Sequence, residues 1–178
     1  MIGKVTGHQI NLRLVQSEDA AYIHALRQNP VYNRHLSIVT GTVDDQRDWI
    51  ETYKTREADG LEYYFIIERK DGMPCGVVRL YEITNQSFTW GSWILDHNKP
   101  SKAALESAVL SFGVGFKELN ISKSFFEAKV GNSHAIAFYR RFGATVIERD
   151  TENIYFELSR KQFLKDLNSR RQAIESSE

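Results

Sequence analysis

The stretch "VGNSHAIAFYRRFGA", Val130 to Ala144, reads as one short helix with marked ends. Asn132 suits the N-cap, where a side-chain oxygen accepts a backbone N–H. Gly143 closes the helix. Between them Ala135, Phe138, Tyr139 and Phe142 fall at i, i+3, i+4 and i+7, within one face about 100° wide. Arg140 and Arg141 point away from it. Asn132 shares the face with Tyr139, about 10 Å along the axis. Spacing alone leaves two roles open for Tyr139: a core tyrosine with a satisfied hydroxyl, or a phenol with a chemical task.

The segments upstream set this helix in a layered α+β fold. "SKAALESAVLSFGVGFKELN" (Ser101 to Asn120) is the longest helical pattern. Leu105, Val109, Phe112 and Phe116 form an apolar stripe. Ala104, Ala108, Ser111 and Gly115 form a second stripe of small residues. No charge separates Glu106 from Lys117, so both faces are expected to be buried, the small one allowing close approach. "QINLRLV" alternates as a half-buried strand, with Ile10, Leu12 and Leu14 inward. In "SEDAAYIHALRQNP" Ser17 is a plausible N-cap, Ala21, Tyr22 and Leu26 face inward, and Asn29-Pro30 stops the helix. "TVDDQRDWIETYKTRE" is a second helix, with Trp49, Ile50 and Tyr53 on one face.

Strands follow. "EYYFIIERKDGMPCGVVRLYEIT" holds two runs around Asp71-Gly72, a hairpin signal. "QSFTWGSWIL" is a third, and "ISKSFFEAKV" and the two runs in "ATVIERDTENIYFELS" complete the set. The predicted order is βααβββαβαββ, then a C-terminal helix with Phe163, Leu164 and Leu167 at helical spacing. One domain covers 1–160. The tail, 161–178, fades into polar residues expected to fray.

Composition narrows the function. Of 178 residues, 42% are hydrophobic and 26% charged, ordinary for a globular chain. Lys plus Arg and Asp plus Glu are 23 each, which lacks the broad basic footprint of a nucleic-acid binder. The single cysteine, Cys75, rules out an intrachain disulfide. The five histidines show no metal-ligand spacing, so no metal is expected. No apolar run reaches membrane-spanning length and no signal-peptide pattern is present. The expected protein is soluble and cytoplasmic, with no nucleic-acid or membrane partner.

In order and spacing, "FTWGSWIL", "KPSKAALESAVLSFGVGFKELN", "SKSFFEAKV" and "GNSHAIAFYRRFGA" resemble the GCN5-related N-acetyltransferase (GNAT) family. The resemblance spans about Gln9 to Leu158. Its most specific part is Asn132, Ala135, Tyr139 and Gly143 at the family's spacing. With "INLRLV" and "LRQNPVYNRHLS" added, the chain is most similar to the branch of ribosomal-protein and amino-sugar nucleotide acetyltransferases. The fold implied is a mixed, mostly antiparallel sheet flanked by helices. The activity implied is direct acetyl transfer from acetyl-CoA to an amine.

The resemblance also implies roles. Tyr139 matches the acid that protonates the departing CoA thiolate, a phenol being protonated at neutral pH. Asn132 matches a position that hydrogen-bonds the cofactor. The strand Trp90 to Leu95 matches one that splays from its neighbour and offers backbone groups to pantetheine. Ile94 and Leu95 are the cofactor-binding positions of that strand, and amides near Ile94 would hold the oxyanion. The pyrophosphate loop falls on Lys99, Pro100, Ser101, Lys102, Ala103 and Ala104. It departs from the family pattern: Lys102 replaces a glycine and Pro100 has no N–H, with the charge of Lys99 and Lys102 in compensation.

The general base is not legible, with Glu82, Asp96, His97 and His35 as candidates beside water. For the acceptor, Arg27, Asn29, Tyr32 and His35 could meet a sugar hydroxyl or phosphate. Trp90 and Trp93 are expected on one face, where they could stack on a ring. The favoured acceptor is a small-molecule amine, in particular a nucleotide-linked amino sugar. The alternatives are a peptide or protein N-terminus, or a non-catalytic acyl-CoA sensor. The tail helix could cap the domain or pair with a second copy as a homodimer.

Overall fold

Strand β3 (Tyr63–Arg69) shows no alternation because it is buried on both faces. Phe65 and Ile67 enter one apolar cluster, Tyr64 and Ile66 the other. The computed structural model describes residues 2–36 and 39–176 and places β3 inside an eight-stranded sheet. The other strands are β1 (Val5–Thr6), β2 (Ile10–Leu14), β4 (Pro74–Tyr81), β5 (Ser87–Leu95), β6 (Lys123–Lys129), β7 (Thr145–Arg149) and β8 (Asn153–Ser159). Their order is β1-β2-β3-β4-β5-β6-β8-β7. Every pairing is antiparallel except β5 with β6. Helices α1 (Ala20–Gln28) and α2 (Val43–Ala58) cover one face, and α3 (Ala103–Gly113) and α5 (Arg160–Glu175) the other. Helix α4 (Ser133–Arg141) packs Tyr139 and Phe142 into the α3 cluster. The expected fold class and element order are present, with β1 as an added two-residue strand.

Local departures have local causes. Ala20 and Ile23, not Ala21, face inward on α1, because a 3-10 turn at Ser17–Asp19 starts the coil and rotates its phase. Asp19 accepts the Gln16 amide at 2.8 Å, so the N-cap lies one residue before Ser17. Helix α3 begins at Ala103, with Lys102 as its N-cap, and ends in a π-helical turn at Val114–Glu118.

The small stripe on α3 has two uses. Ser111 accepts the Trp90 indole N–H at 2.9 Å, and Ser107 accepts that of Trp93 at 3.0 Å. Gly115 lies against Phe88: a Cβ there would sit 2.2 Å from a ring carbon. Gly115→Ala is therefore expected to cost about 1–3 kcal/mol by overpacking. Urea denaturation checks this, and a cost near zero would mean that α3 can slide.

Glu106 is the unexpected member of α3. It is 3% exposed, yet charged by type. Its carboxylate accepts the backbone amides of His8, Gln9 and Ile10 at 2.7, 2.7 and 3.0 Å. The turn from β1 into β2 is thus fastened to α3 by one side chain.

Strand β5 sets up the site. It pairs with β6 only over Ser87–Thr89 against Lys123–Phe125, although both strands continue. Beyond Thr89 they part. Residues three apart in a regular strand face opposite sides, so alternation alone would separate Trp90 from Trp93. A bulge opposite Val77–Arg79, with Ser92 at φ 49°, resets the phase and brings the two rings to 5.1 Å. The tail is ordered further than its apolar spacing marks: α5 runs to Glu175 with Ile174 buried.

Candidate active site

The divergence of β5 and β6 opens into a cavity of about 560 Å³. Its walls come from β3, β4, β5, β6 and the start of β8, from α1 and α2 with the segment between them, and from α4. Tyr139 of α4 lines this cavity. Its ring meets Trp90, Phe126 and Phe156 edge-on, with centroids at 5.8, 4.9 and 5.3 Å. It is 7% exposed, lines the cavity, and its hydroxyl has no hydrogen-bond partner among the described residues. Burial raises its pKa above the ordinary 10.0, which keeps the proton on the phenol.

Asn132 caps α4 as its position suggested, accepting the Ala135 amide at 3.3 Å. That uses its oxygen and leaves its NH₂ to donate into the cavity it lines. On β5 the Asp96 amide donates to the Cys75 carbonyl at 2.8 Å. In this antiparallel register Leu95 must then turn its amide and carbonyl toward the open side, while Ile94 turns its own toward β4.

The start of α3 is more committed than its sequence suggests. The Lys102 amide donates to the Gln9 side chain and the Ala103 amide to the Pro100 carbonyl, both at 3.2 Å. The Lys102 ammonium bonds the Ala173 carbonyl at 2.7 Å, the Ser176 hydroxyl at 2.8 Å and the Ser176 carbonyl. It caps the C-terminus of α5 rather than standing over the loop. Lys99 is exposed, with no ion-pair partner among the described residues, and the Ala104 amide keeps its proton for an outside acceptor.

Of the candidates Glu82, Asn29 and Trp90, the first two stand away from the cavity and the third lines it with one ring face covered. Glu82 adopts φ 50°, accepts from the Thr89 hydroxyl and lies outside the cavity wall. Asn29 ends α1 and binds the Val31 amide in its own turn, also outside the wall. Trp90 is 1% exposed and stacks on Phe112 at 4.5 Å, so that face of its ring is already covered. Among the base candidates, Asp96 is held by Tyr22 and by the Asn98 amide, each at 2.8 Å. His97 meets Tyr32 at 3.2 Å. Arg27 and His35 do line the cavity.

Sequence reasoning missed Arg79, Tyr64, Tyr81 and Glu127, all in the wall. Arg79 left a signal: it is the one charge in the apolar run "GVVRLY". Glu127 left none, because an exposed-looking acid in a strand reads as solvated. Asp45, the other wall carboxylate, is occupied by the Thr42 amide at 2.8 Å.

A splayed parallel pair, a buried phenol and a helix cap lining the same cavity are the features that the sequence resemblance implies for an acetyltransferase. Residues 9–145 match the acetyltransferase (GNAT) domain family, and the chain belongs to it. The chain is 40% identical to FdhC, a nucleotide-linked sugar GNAT solved in its apo form. That match covers 94% of this chain and 97% of FdhC, with a TM-score of 0.87. Spermidine N(1)-acetyltransferase of Escherichia coli K12 is 27% identical over 143 residues, 79% of this chain and 75% of that protein. Spermidine N-acetyltransferase from Vibrio cholerae, solved with CoA and spermine, shares the fold with a TM-score of 0.75. Its identity is 20%, over 88% of this chain and 98% of that one. The chain is an acetyltransferase of a family that uses acetyl-CoA.

Proposed function

We propose that this enzyme transfers the acetyl group of acetyl-CoA to the amine of a nucleotide-linked amino sugar. The observation that carries the reading is the charge of the cavity. Among the described residues Arg27, Arg79 and Lys129 line it against the two carboxylates of Asp45 and Glu127, with His24 and His35 beside them. A polyamine carries several positive charges and needs carboxylates. A basic wall suits phosphates. The 40% identity to a nucleotide-linked sugar GNAT points the same way.

The residues present fit the cofactor. Acetyl-CoA supplies the acetyl group as a thioester. Asn132 donates its NH₂ to the pantetheine arm, and Leu95 offers its amide and carbonyl as a strand edge. The Leu95 amide, in place of one from Ile94, is the candidate oxyanion donor. Lys99 and the Ala104 amide face the pyrophosphate, with Lys102 and Ala103 shaping the helix start rather than donating. The amine nitrogen attacks the carbonyl carbon, the C–S bond breaks, and Tyr139 protonates the departing sulfur. The amine's proton leaves to water or to Glu127.

A thiol-release assay across amines tests this reading. CoA release is expected with nucleotide-linked amino sugars. Release with spermidine or a peptide, and none with any sugar nucleotide, would overturn the acceptor assignment.

A further inference from the structure

The α2 side of the cavity holds polar groups that acyl transfer does not use. Tyr64 is 2% exposed and lines the wall, yet its hydroxyl has no hydrogen-bond partner among the described residues. Arg79 lies directly across the β3–β4 ladder from it. The Arg79 guanidinium sits 4.0 Å from the Tyr81 ring centroid, 5.7 Å from Trp49 and 5.9 Å from Tyr64. Three aromatic rings therefore fix its position. The nearest carboxylate oxygen, Glu62 Oε2, is 3.8 Å away, an ion pair beyond hydrogen-bond distance, while Oε1 of the same side chain takes Arg56 at 3.0 Å. The Arg79 Nε is buried and has no acceptor among the described residues. Arg27 reaches the same wall from α1.

A buried donor without an acceptor is costly, and two beside each other are rarely kept without a partner. Here both donors, with a second guanidinium, ask for oxygen atoms carrying negative charge. A single carboxylate has fewer acceptor positions than this wall has donors. A diphosphate has enough, and a planar guanidinium matches its geometry.

We infer that Arg27, Tyr64 and Arg79 form the subsite for the diphosphate of the acceptor's nucleotide. The inference rests on the acetyl-transfer reading of the cavity and fixes which way the acceptor lies. The phosphates take the α1–α2 side. The sugar crosses Gly91, which pairs with Arg79 and has no side chain to fill the floor. The amine is thereby brought to Tyr139 and Glu127 at the far side.

The test is calorimetric titration of uridine diphosphate and thymidine diphosphate into protein saturated with CoA, so that the cofactor's own phosphate site is filled. Inorganic pyrophosphate and the free nucleosides serve as further probes. Binding is expected for at least one nucleoside diphosphate, more weakly for pyrophosphate, and not for the nucleosides. Arg79→Lys and Arg27→Gln are each expected to weaken binding about ten-fold or more. Tyr64→Phe removes one atom from a buried ring, keeps the fold, and is expected to weaken binding several-fold. CoA affinity is expected to be unchanged in all three. No binding of either nucleoside diphosphate, equal binding of nucleoside and diphosphate, or undiminished binding in Tyr64→Phe and Arg27→Gln would overturn the subsite. The outcome is separable from the acceptor assignment. Turnover of an amino-sugar nucleotide with unchanged KM in these variants would remove the subsite and keep the function. Diphosphate binding lost in the variants, without turnover of any amino-sugar nucleotide, would do the reverse.

Discussion

Tyr139→Phe is expected to lower kcat about 100-fold, the loss typical for a general acid, with acetyl-CoA affinity and the fold intact. The ring is held on its edges by Trp90, Phe126 and Phe156, and phenylalanine keeps those contacts. The hydroxyl has no partner among the described residues, so removing it orphans nothing. Stability and turnover therefore separate, which a purely structural tyrosine would not allow. The pH dependence follows from burial. The active form is the protonated phenol, and burial raises the pKa above 10.0. Loss of the acid thus moves to more alkaline pH, and kcat is expected to show no fall from this group below about pH 10. An alkaline limb near pH 8 in the native enzyme that vanishes in Tyr139→Phe would contradict the burial argument. Unchanged turnover in Tyr139→Phe would remove the acid role.

Glu106→Leu is expected to cost about 3–9 kcal/mol, the largest stability effect of any single change considered. The shorter apolar chain leaves three amides, at His8, Gln9 and Ile10, without their acceptor. Each orphaned donor costs about 1–3 kcal/mol. At this chain length the melting temperature should fall by roughly 10 °C or more. Glu106→Gln retains one carbonyl oxygen but points an NH₂ at a donor, and should lie between. Denaturant unfolding measures both. A Leu variant within about 1 kcal/mol of native would show that water reaches those amides.

The part of the site that was legible in the sequence is the part built locally. Asn132 and Tyr139 are seven residues apart on one helix, and helical geometry alone puts them on one face. The cap forms as the residue type predicts. The rest of the cavity wall is assembled across strands, so its chemistry depends on register. Tyr64 meets Arg79 only because β3 and β4 pair at that offset. Glu127 reaches the cavity by strand parity in β6. Lys102 looked free for phosphate because its partners, Ala173 and Ser176, are more than seventy residues away. The partners of Glu106, the amides of His8, Gln9 and Ile10, are more than ninety residues away in the chain. The layered α+β fold was more accessible, since Leu105, Val109, Phe112 and Phe116 mark α3 by spacing alone. Tyr64 and Trp90 show the opposite limit: an aromatic residue in a strand looks alike whether it faces ligand or core.

Ser92 has a consequence for how β5 tolerates change in length. A strand is read two residues at a time, and the bulge shifts that reading frame by one. With Ser92 present, Trp90 and Trp93 join the α3 cluster while Ile94 joins the α1–α2 cluster. Deleting it would remove the extra residue and keep the frame, with Trp93 opposite Val78 and Ile94 and Leu95 still opposite Val77 and Gly76. Flattening the bulge with Ser92 retained would do the opposite: Trp93 would leave Ser107, Ile94 would exchange cores, and the Leu95 amide would turn from the open cleft to β4. The far half of the strand therefore tolerates loss of this residue better than loss of its left-handed backbone.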